Sequence, residues 1–442
     1  MSDLNETHAS ELMSWVPGSE GSSDFPIQNL PFGRFIAHGD GTTRLGVAIG
    51  TSVLDLKAAA EHGLLDGIPV DVRRACRATT LNALMAQPPD DVSALRRCLS
   101  RLLRTGSAQQ AEGQACLVSM SGLRMCLAAD IRNYSDFFTS IFHATNSGRL
   151  IRPETPLLPN FQHLPVAYHG RTSSLCISGT PITRPRGQFL PSDAADPVFE
   201  PTRRLDFECE LAIHVGRGNG RGEEIPLHDA AGHIFGVSLL NDWSARDVQR
   251  WEAQPLGPFL AKSSLTSLSP WIVTMEALAP FRVPAAQRAN GAPRLLPYLD
   301  DADDQAAGGL NIDMEIRIRT AEQRGRQDSG ALVSTPRFRS QYWTVAQMLT
   351  HQASNGCLIE PGDILGSGTI SGPTQEELGC LMELTQGGAQ PITLSDGQQR
   401  AWLQDGDEVV LRGRCTAEGA VTIGFGECSG IVLPARTHHT EN

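Results

Sequence analysis

The segment "LDFECELAIHVG", from Leu205 to Gly216, alternates its side chains with the period of a β-strand. Phe207, Cys209, Leu211, Ile213 and Val215 fall on one side, and Asp206, Glu208 and Glu210 on the other. Comparable alternation returns in "NIDMEIRIRT" (311–320) and "GDEVVLRGRC" (406–415), with turn signals at "SDGQQ" and "QDGDE". A chain punctuated this way is expected to be mainly β with subordinate helices. Three carboxylates on one strand also need either water or a cation. The plain reading is an antiparallel strand with one solvated face. The other is that residues i and i+2, with Cβ atoms roughly 7 Å apart, can hold one hard cation between them.

The length of 442 residues exceeds what one core usually fills, so a small and a large domain are expected. Short strand-like runs, "RLGVAIG" and "TSVLDL", broken by "HGDGTT", precede "DDVSALRRCLSRLLRTG". There Leu95, Leu99, Leu102 and Leu103 recur at helical spacing, with acids in front, arginines on the opposite face and Gly106 as a stop. We read residues 1–123 as a small β-rich unit closed by this helix and 124–442 as a larger, mostly β unit. Two Pro- and Gly-rich or acidic stretches, 181–204 and 283–309, read as surface loops.

Net charge of −12 without a run of Lys or Arg argues against a nucleic-acid or anionic-membrane surface. The ten cysteines form no C-x-x-C pair, which reads as reduced thiols and not as a disulfide frame or zinc site. The acidic opening "MSDLNETHASELMSW" resembles neither a secretory signal nor a transit peptide, and no apolar run is long enough for a bilayer. A cytoplasmic protein whose partners are small molecules or its own copies is the expectation.

Four further segments carry chemistry. In "IFGVSLLNDWSARDVQRWE" an apolar run ends at Asn241 and Asp242, and Arg246, Gln249 and Arg250 follow one turn on. Asp242 is placed either as a site residue at a strand end or as the cap of the next helix. In "NYSDFFTSIFHATNSG", Asp136 and His143 lie about two helical turns apart and share a cleft if the segment is helical. "PGDILGSGTISG" (361–372) lets backbone approach a ligand closely or simply makes a turn. Glu383, inside the apolar "CLMELTQ", is costly to bury unless paired or metal-bound.

Taken with "DFPIQNLPFGRF", "HATN", "LPVAYHGR", "NDWSARD", "PLGPFL", "GSGTISG" and "GFGECSG" in this order, these segments resemble the fumarylacetoacetate hydrolase family nearly end to end. The resemblance implies an SH3-like N-terminal barrel, a large mixed β-roll and a homodimer. It implies one divalent cation per chain, Mg²⁺ or Ca²⁺, on Asp136, Glu208, Glu210 and Asp242, with Lys262 and Thr266 close by. It gives His143 as general base, Glu383 as its orienting acid, and Arg246, Gln249 and Lys262 as groups that steady negative charge. Arg152, Tyr168 and Thr369 match substrate-contact positions, and Asp206 has no assigned role. The implied reaction is hydrolysis of a C–C bond in a 1,3-diketo acid such as fumarylacetoacetate, in tyrosine and phenylalanine breakdown.

Two substrate positions depart from the family pattern. Phe138 stands where the family has the tyrosine of Asp-Phe-Tyr, and Ala253 where it has the tyrosine of Trp-Glu-Tyr. Each loses a donor, so a bulkier 1,3-dicarbonyl substrate is an alternative. Non-hydrolytic decarboxylation, isomerisation or hydration on the same scaffold is another, and an idle binding or scaffold protein a third.

Overall fold

The computed structural model describes residues 4–437 apart from Ser22, His38 and Asp40. Strands Leu117–Ser119, Ser52–Asp55, Thr43–Ile49, Phe32–Ile36 and Arg124–Cys126 lie side by side in that order, all antiparallel. Leu45, Val47 and Ile49 bury the inward face of this sheet. Arg124–Cys126 pairs with Phe32–Ile36, so the first sheet reaches past residue 123. The break "HGDGTT" falls partly outside the described residues.

The expected helix spans Pro89–Leu103 and buries Leu95, Leu99, Leu102 and Leu103 against that sheet's core. Asp90 and Asp91 occupy its first turn, where the helix dipole favours acids. The expectation that its arginines all face outward fails at Arg96, which is 3% exposed. Its guanidinium donates to Thr7 Oγ1 and to the carbonyls of Gln28 and Asn29, which replaces the water it loses.

The larger part of the chain builds two sheets over one core. The first runs Ala167–His169, Tyr134–Phe137, Ile364–Gly366, Cys209–Val215, Ile234–Asp242, Thr266–Leu268, Leu175–Ile177. Two of its pairings are parallel, Ile364–Gly366 with Tyr134–Phe137 and Thr266–Leu268 with Leu175–Ile177. The second runs Ala331–Ser334, Ile312–Arg319, Glu408–Cys415, Ile423–Leu433, Ile182–Thr183. Leu211 and Leu239 of the first sheet and Met314, Leu411 and Phe425 of the second belong to the shared core. The structure is thus mixed α and β with sheets dominant.

Several local expectations are corrected. The acidic strand is not solvated on one side: Leu205–Asp206 and Cys209–Val215 are separate strands, and every residue between Leu205 and Val215 is buried. Segment 181–204 holds a hairpin, Arg186–Phe189 against Val198–Pro201, and 283–309 contains the helix Ala302–Ala307. All ten cysteines are free. Among the described residues no helix is long and apolar enough to cross a membrane.

Candidate active site

Strand order brings the acids together. Asp136 is next to last in Tyr134–Phe137 opposite Gly366, Glu210 is second in Cys209–Val215 opposite Leu240, and Asp242 ends Ile234–Asp242 opposite Thr266. These positions lie at one end of neighbouring strands, and ligand oxygens of Asp136, Glu210 and Asp242 fall within 4.8 Å of one another. Asp242 closes its strand; Ala245 occupies the cap position of the next helix. The glycines of "GSG" make the room. A Cβ on Gly366 would come 2.6 Å from Asp136 Oδ1, and Gly368, at φ +72°, donates its N–H to Glu210 Oε2.

Two cations face this cluster. Lys262 Nζ donates to Asp242 Oδ2 at 2.8 Å and also pairs with Glu208, while Arg246 Nη1 lies 2.7 Å from Glu208 Oε1. Glu208 therefore turns both oxygens to Lys262 and Arg246, and the close carboxylate trio is Asp136, Glu210 and Asp242. Thr266 Oγ1 donates to Asp242 Oδ1 at 2.9 Å. The Tyr168 hydroxyl lies 2.7 Å from Asp136 Oδ2 and 3.1 Å from Asp242 Oδ2, bridging the two carboxylates. Arg246 Nη1 donates to Gln249 Oε1 at 3.1 Å, whereas its buried Nη2 has no partner among the described residues.

The electrostatics follow from burial and neighbours. Burial, then repulsion from Asp242, pushes Asp136 up to about 8. Burial and the charges of Asp136 and Glu208 push Glu210 well above the usual carboxylate range. Burial acts on Glu208 too, but Lys262 and Arg246 outweigh it and hold that carboxyl low. Five buried carboxylates, Asp136, Asp206, Glu208, Glu210 and Asp242, thus face two buried cations, Arg246 and Lys262. Asp136 Oδ1 and Glu210 Oε1 are buried without a hydrogen-bond partner among the described residues. Unpaired oxygens in a surplus of carboxylates suit a hard divalent cation, and the residues present fit one.

Beside this cluster lies a hydrogen-bonded pair. His143 sits in the first turn of helix Ile141–Ile151, which Ser140 caps through the His143 N–H. Its Nδ1 donates to Glu383 Oε2 at 2.6 Å. Asn146 Nδ2 donates to Glu383 Oε1 at 2.9 Å, and Ser371 Oγ and Cys380 Sγ donate to Oε2. Burial raises Glu383, but the charge and hydrogen bond of His143 outweigh it and keep the carboxyl below its ordinary value. A fixed carboxylate on Nδ1 selects the tautomer whose Nε2 accepts a proton. Asp136 and His143 do not share one helix, as their spacing allowed; Asp136 is on a strand and His143 on the helix after it.

The remaining expected residues are more scattered. Phe138 packs edge-on against the His143 ring at 5.3 Å and 78°. Among the described residues the hydroxyl of the buried Thr369 has no partner, nor has the buried Nε of Arg152, which ends the His143 helix. Ala253 ends helix Arg246–Glu252, half-buried. Asn146, Ser371 and Cys380 also hold Glu383 although no sequence pattern marks them, Asn146 standing one turn beyond His143 inside "HATN". Asp206, without an assigned role from its sequence, is fully buried and paired with Arg246 at 2.9 Å.

Comparison with known proteins gives the family. A family model described as "Fumarylacetoacetate (FAA) hydrolase C-terminal" matches residues 132–432, and one described as "Fumarylacetoacetase N-terminal" matches 28–128. The chain is 44% identical over 428 residues to the fumarylacetoacetase of Bos taurus, covering 96% of this chain and 99% of that one, and the same figures hold for that of Homo sapiens. With the Oryza sativa subsp. japonica fumarylacetoacetase it is 43% identical over 440 residues, 98% and 100% of the two chains. Among solved structures, an HpcE-type protein from Mycobacterium smegmatis superposes with a TM-score of 0.50 at 20% identity, over 91% of this chain and 99% of that one. Matched by both family models and by full-length relatives, the chain belongs to the fumarylacetoacetate hydrolase family.

Proposed function

We propose that this protein is a metal-dependent hydrolase that cleaves a C–C bond of a 1,3-diketo acid, with fumarylacetoacetate split to fumarate and acetoacetate as its reaction. The curated relatives that match it over nearly its whole length carry the name fumarylacetoacetase. The observation that carries the reaction class is the buried 2.6 Å hydrogen bond from His143 Nδ1 to Glu383. Hydrolysis needs an activated water, and an imidazole held in one tautomer supplies the base. Decarboxylation has no such need, and an idle scaffold has no use for a fully satisfied dyad.

Asp136, Glu210 and Asp242 would hold the divalent cation, Mg²⁺ or Ca²⁺, with Glu208 as a fourth acid and Thr266 steadying Asp242. Bound there, such an ion supplies Lewis-acid polarisation of the paired substrate oxygens. His143 Nε2 takes the proton of the attacking water and later returns one to the departing carbon. Arg246 Nη2 has hydrogens to offer a developing oxyanion, and Lys262 and Gln249 add charge and dipole beside it. Thr369 and Arg152, with unclaimed buried polar atoms, are the groups we assign to the substrate's far end, and Tyr168 to its near end. The reading extends to a cytoplasmic homodimer, with an SH3-like N-terminal unit whose end we move from residue 123 to just after the strand Arg124–Cys126. Light scattering should give twice the mass of one chain, and a single-chain mass rejects the dimer.

Incubating the cation-loaded protein with fumarylacetoacetate and a panel of acylpyruvates, with products read by mass, tests the function. Fumarate and acetoacetate are expected; turnover of none of these substrates rejects it. Phe138 and Ala253 should tune selectivity without disabling the enzyme. Phe138→Tyr with Ala253→Tyr is expected to raise kcat/KM for fumarylacetoacetate, since each donor to a charged group is worth about 1.5–3 kcal/mol. An unchanged ratio between that substrate and a bulkier diketone would show that other groups already supply those contacts.

A further inference from the structure

Asp206 is fully buried, and its carboxylate accepts four hydrogen bonds that join two parts of the active site. Oδ1 accepts the backbone N–H groups of Phe207 and Leu381, each at 2.8 Å. Oδ2 accepts the Met382 N–H at 3.0 Å and Arg246 Nε at 2.9 Å. Leu381 and Met382 open the short helix Leu381–Leu384, whose third residue is Glu383. Cys380, at its cap position, makes no side-chain cap bond, so Asp206 supplies the acceptor that this helix start lacks within its own segment. Arg246 opens helix Arg246–Glu252 and turns Nη1 toward Glu208 and Gln249. Strand Leu205–Asp206 pairs with Ser244–Ala245, which fixes the aspartate against the segment carrying Arg246.

We infer that Asp206 is a positioning residue, which sets the guanidinium plane of Arg246 and the placement of Glu383 with one carboxylate, so that charge stabilisation and proton transfer are aligned together. This rests on the proposed hydrolase reading. Every lone-pair direction of the carboxylate is engaged: three of the donors are backbone N–H groups and the fourth is Arg246 Nε. The residue therefore acts through Arg246 and Glu383 and does not touch the reacting atoms. None of its four hydrogen bonds reaches the trio Asp136, Glu210 and Asp242, and it meets the fourth acid, Glu208, only through Arg246, so cation binding should depend on it far less than turnover does.

Asp206→Asn keeps the volume and removes the charge, and its amide must point donors at N–H groups that need an acceptor. Misplacing a catalytic group by about 1 Å costs on the order of 10²-fold in rate, and we expect kcat to fall by about 10–10²-fold. The KM for substrate should change far less. Mg²⁺ affinity, measured by calorimetry, should change far less than kcat. The far-downfield proton resonance of the His143–Glu383 hydrogen bond should shift or vanish, a readout that needs no turnover. If the variant does not fold, Asp206→Glu, which keeps the charge but moves the carboxylate by one methylene, should show the same pattern. An active wild type with kcat and the downfield resonance unchanged in the variant overturns the inference. A wild type that turns over no diketo acid instead rejects the functional reading, and the resonance still reports on Asp206.

Discussion

His143→Ala is expected to lower kcat by about 10²–10⁴-fold while leaving divalent-cation binding as it was, which is the span that a positioned general base contributes. The two effects separate because His143 stands on the helix Ile141–Ile151 and the close carboxylates on strands. Its imidazole bonds to Glu383 and packs against Phe138, and neither contact belongs to the trio Asp136, Glu210 and Asp242. Glu383→Gln should harm turnover in the same direction. Oε2 now accepts from His143, Ser371 and Cys380, and an amide nitrogen in that place offers donors to donors. With the oxygen kept there instead, the carboxylate charge that would stabilise a protonated imidazole is still gone. Steady-state rates with fumarylacetoacetate and calorimetric cation titrations check both variants. Unchanged turnover in His143→Ala would mean that another group activates the water.

What could be read in advance depended on whether a residue's role was local. The alternation of 311–320 and 406–415 became strands Ile312–Arg319 and Glu408–Cys415, because period-2 burial is a property of the segment itself. The leucines of the N-terminal helix were legible for the same reason. Arg96 was not, since its burial depends on carbonyls of residues 28 and 29 that only tertiary structure brings near. The same distinction divides the site. Glu383 announced itself as an acid in an apolar run, and Glu208 and Glu210 as a strand pair. Asp206 reads like its neighbours, yet its partners Arg246, Leu381 and Met382 lie 40, 175 and 176 residues away, where no periodicity points. The solvated-face reading failed because it assumed that acids on a strand face water. Here they face Lys262, Arg246 and one another.

The carboxylate trio gives the second large effect, with opposite signs in the cation-free and cation-loaded protein. Glu210→Gln should weaken Mg²⁺ or Ca²⁺ binding by at least about 10²-fold, since loss of an outer partner of a metal ligand alone costs about 10–100-fold. The cation-free fold should not suffer. Burial and neighbouring acids already press Glu210 toward its neutral form, which glutamine mimics in shape. The Gly368 N–H keeps an acceptor in the amide oxygen, and the new amide hydrogens replace an unpartnered Oε1 beside Asp136 and Asp242. Thermal stability without added cation should therefore equal or exceed that of wild type. In wild type a cation at 100 times its Kd adds about 2.7 kcal/mol to stability, and at the same concentration this increment should fall to about 0.4 kcal/mol or less in the variant. Glu208→Gln should cost less affinity than Glu210→Gln, because Glu208 spends both oxygens on Lys262 and Arg246. Melting curves with and without cation, alongside calorimetry, measure both signs at once. A Glu210→Gln protein that binds the cation as tightly as wild type would place the ion outside the trio.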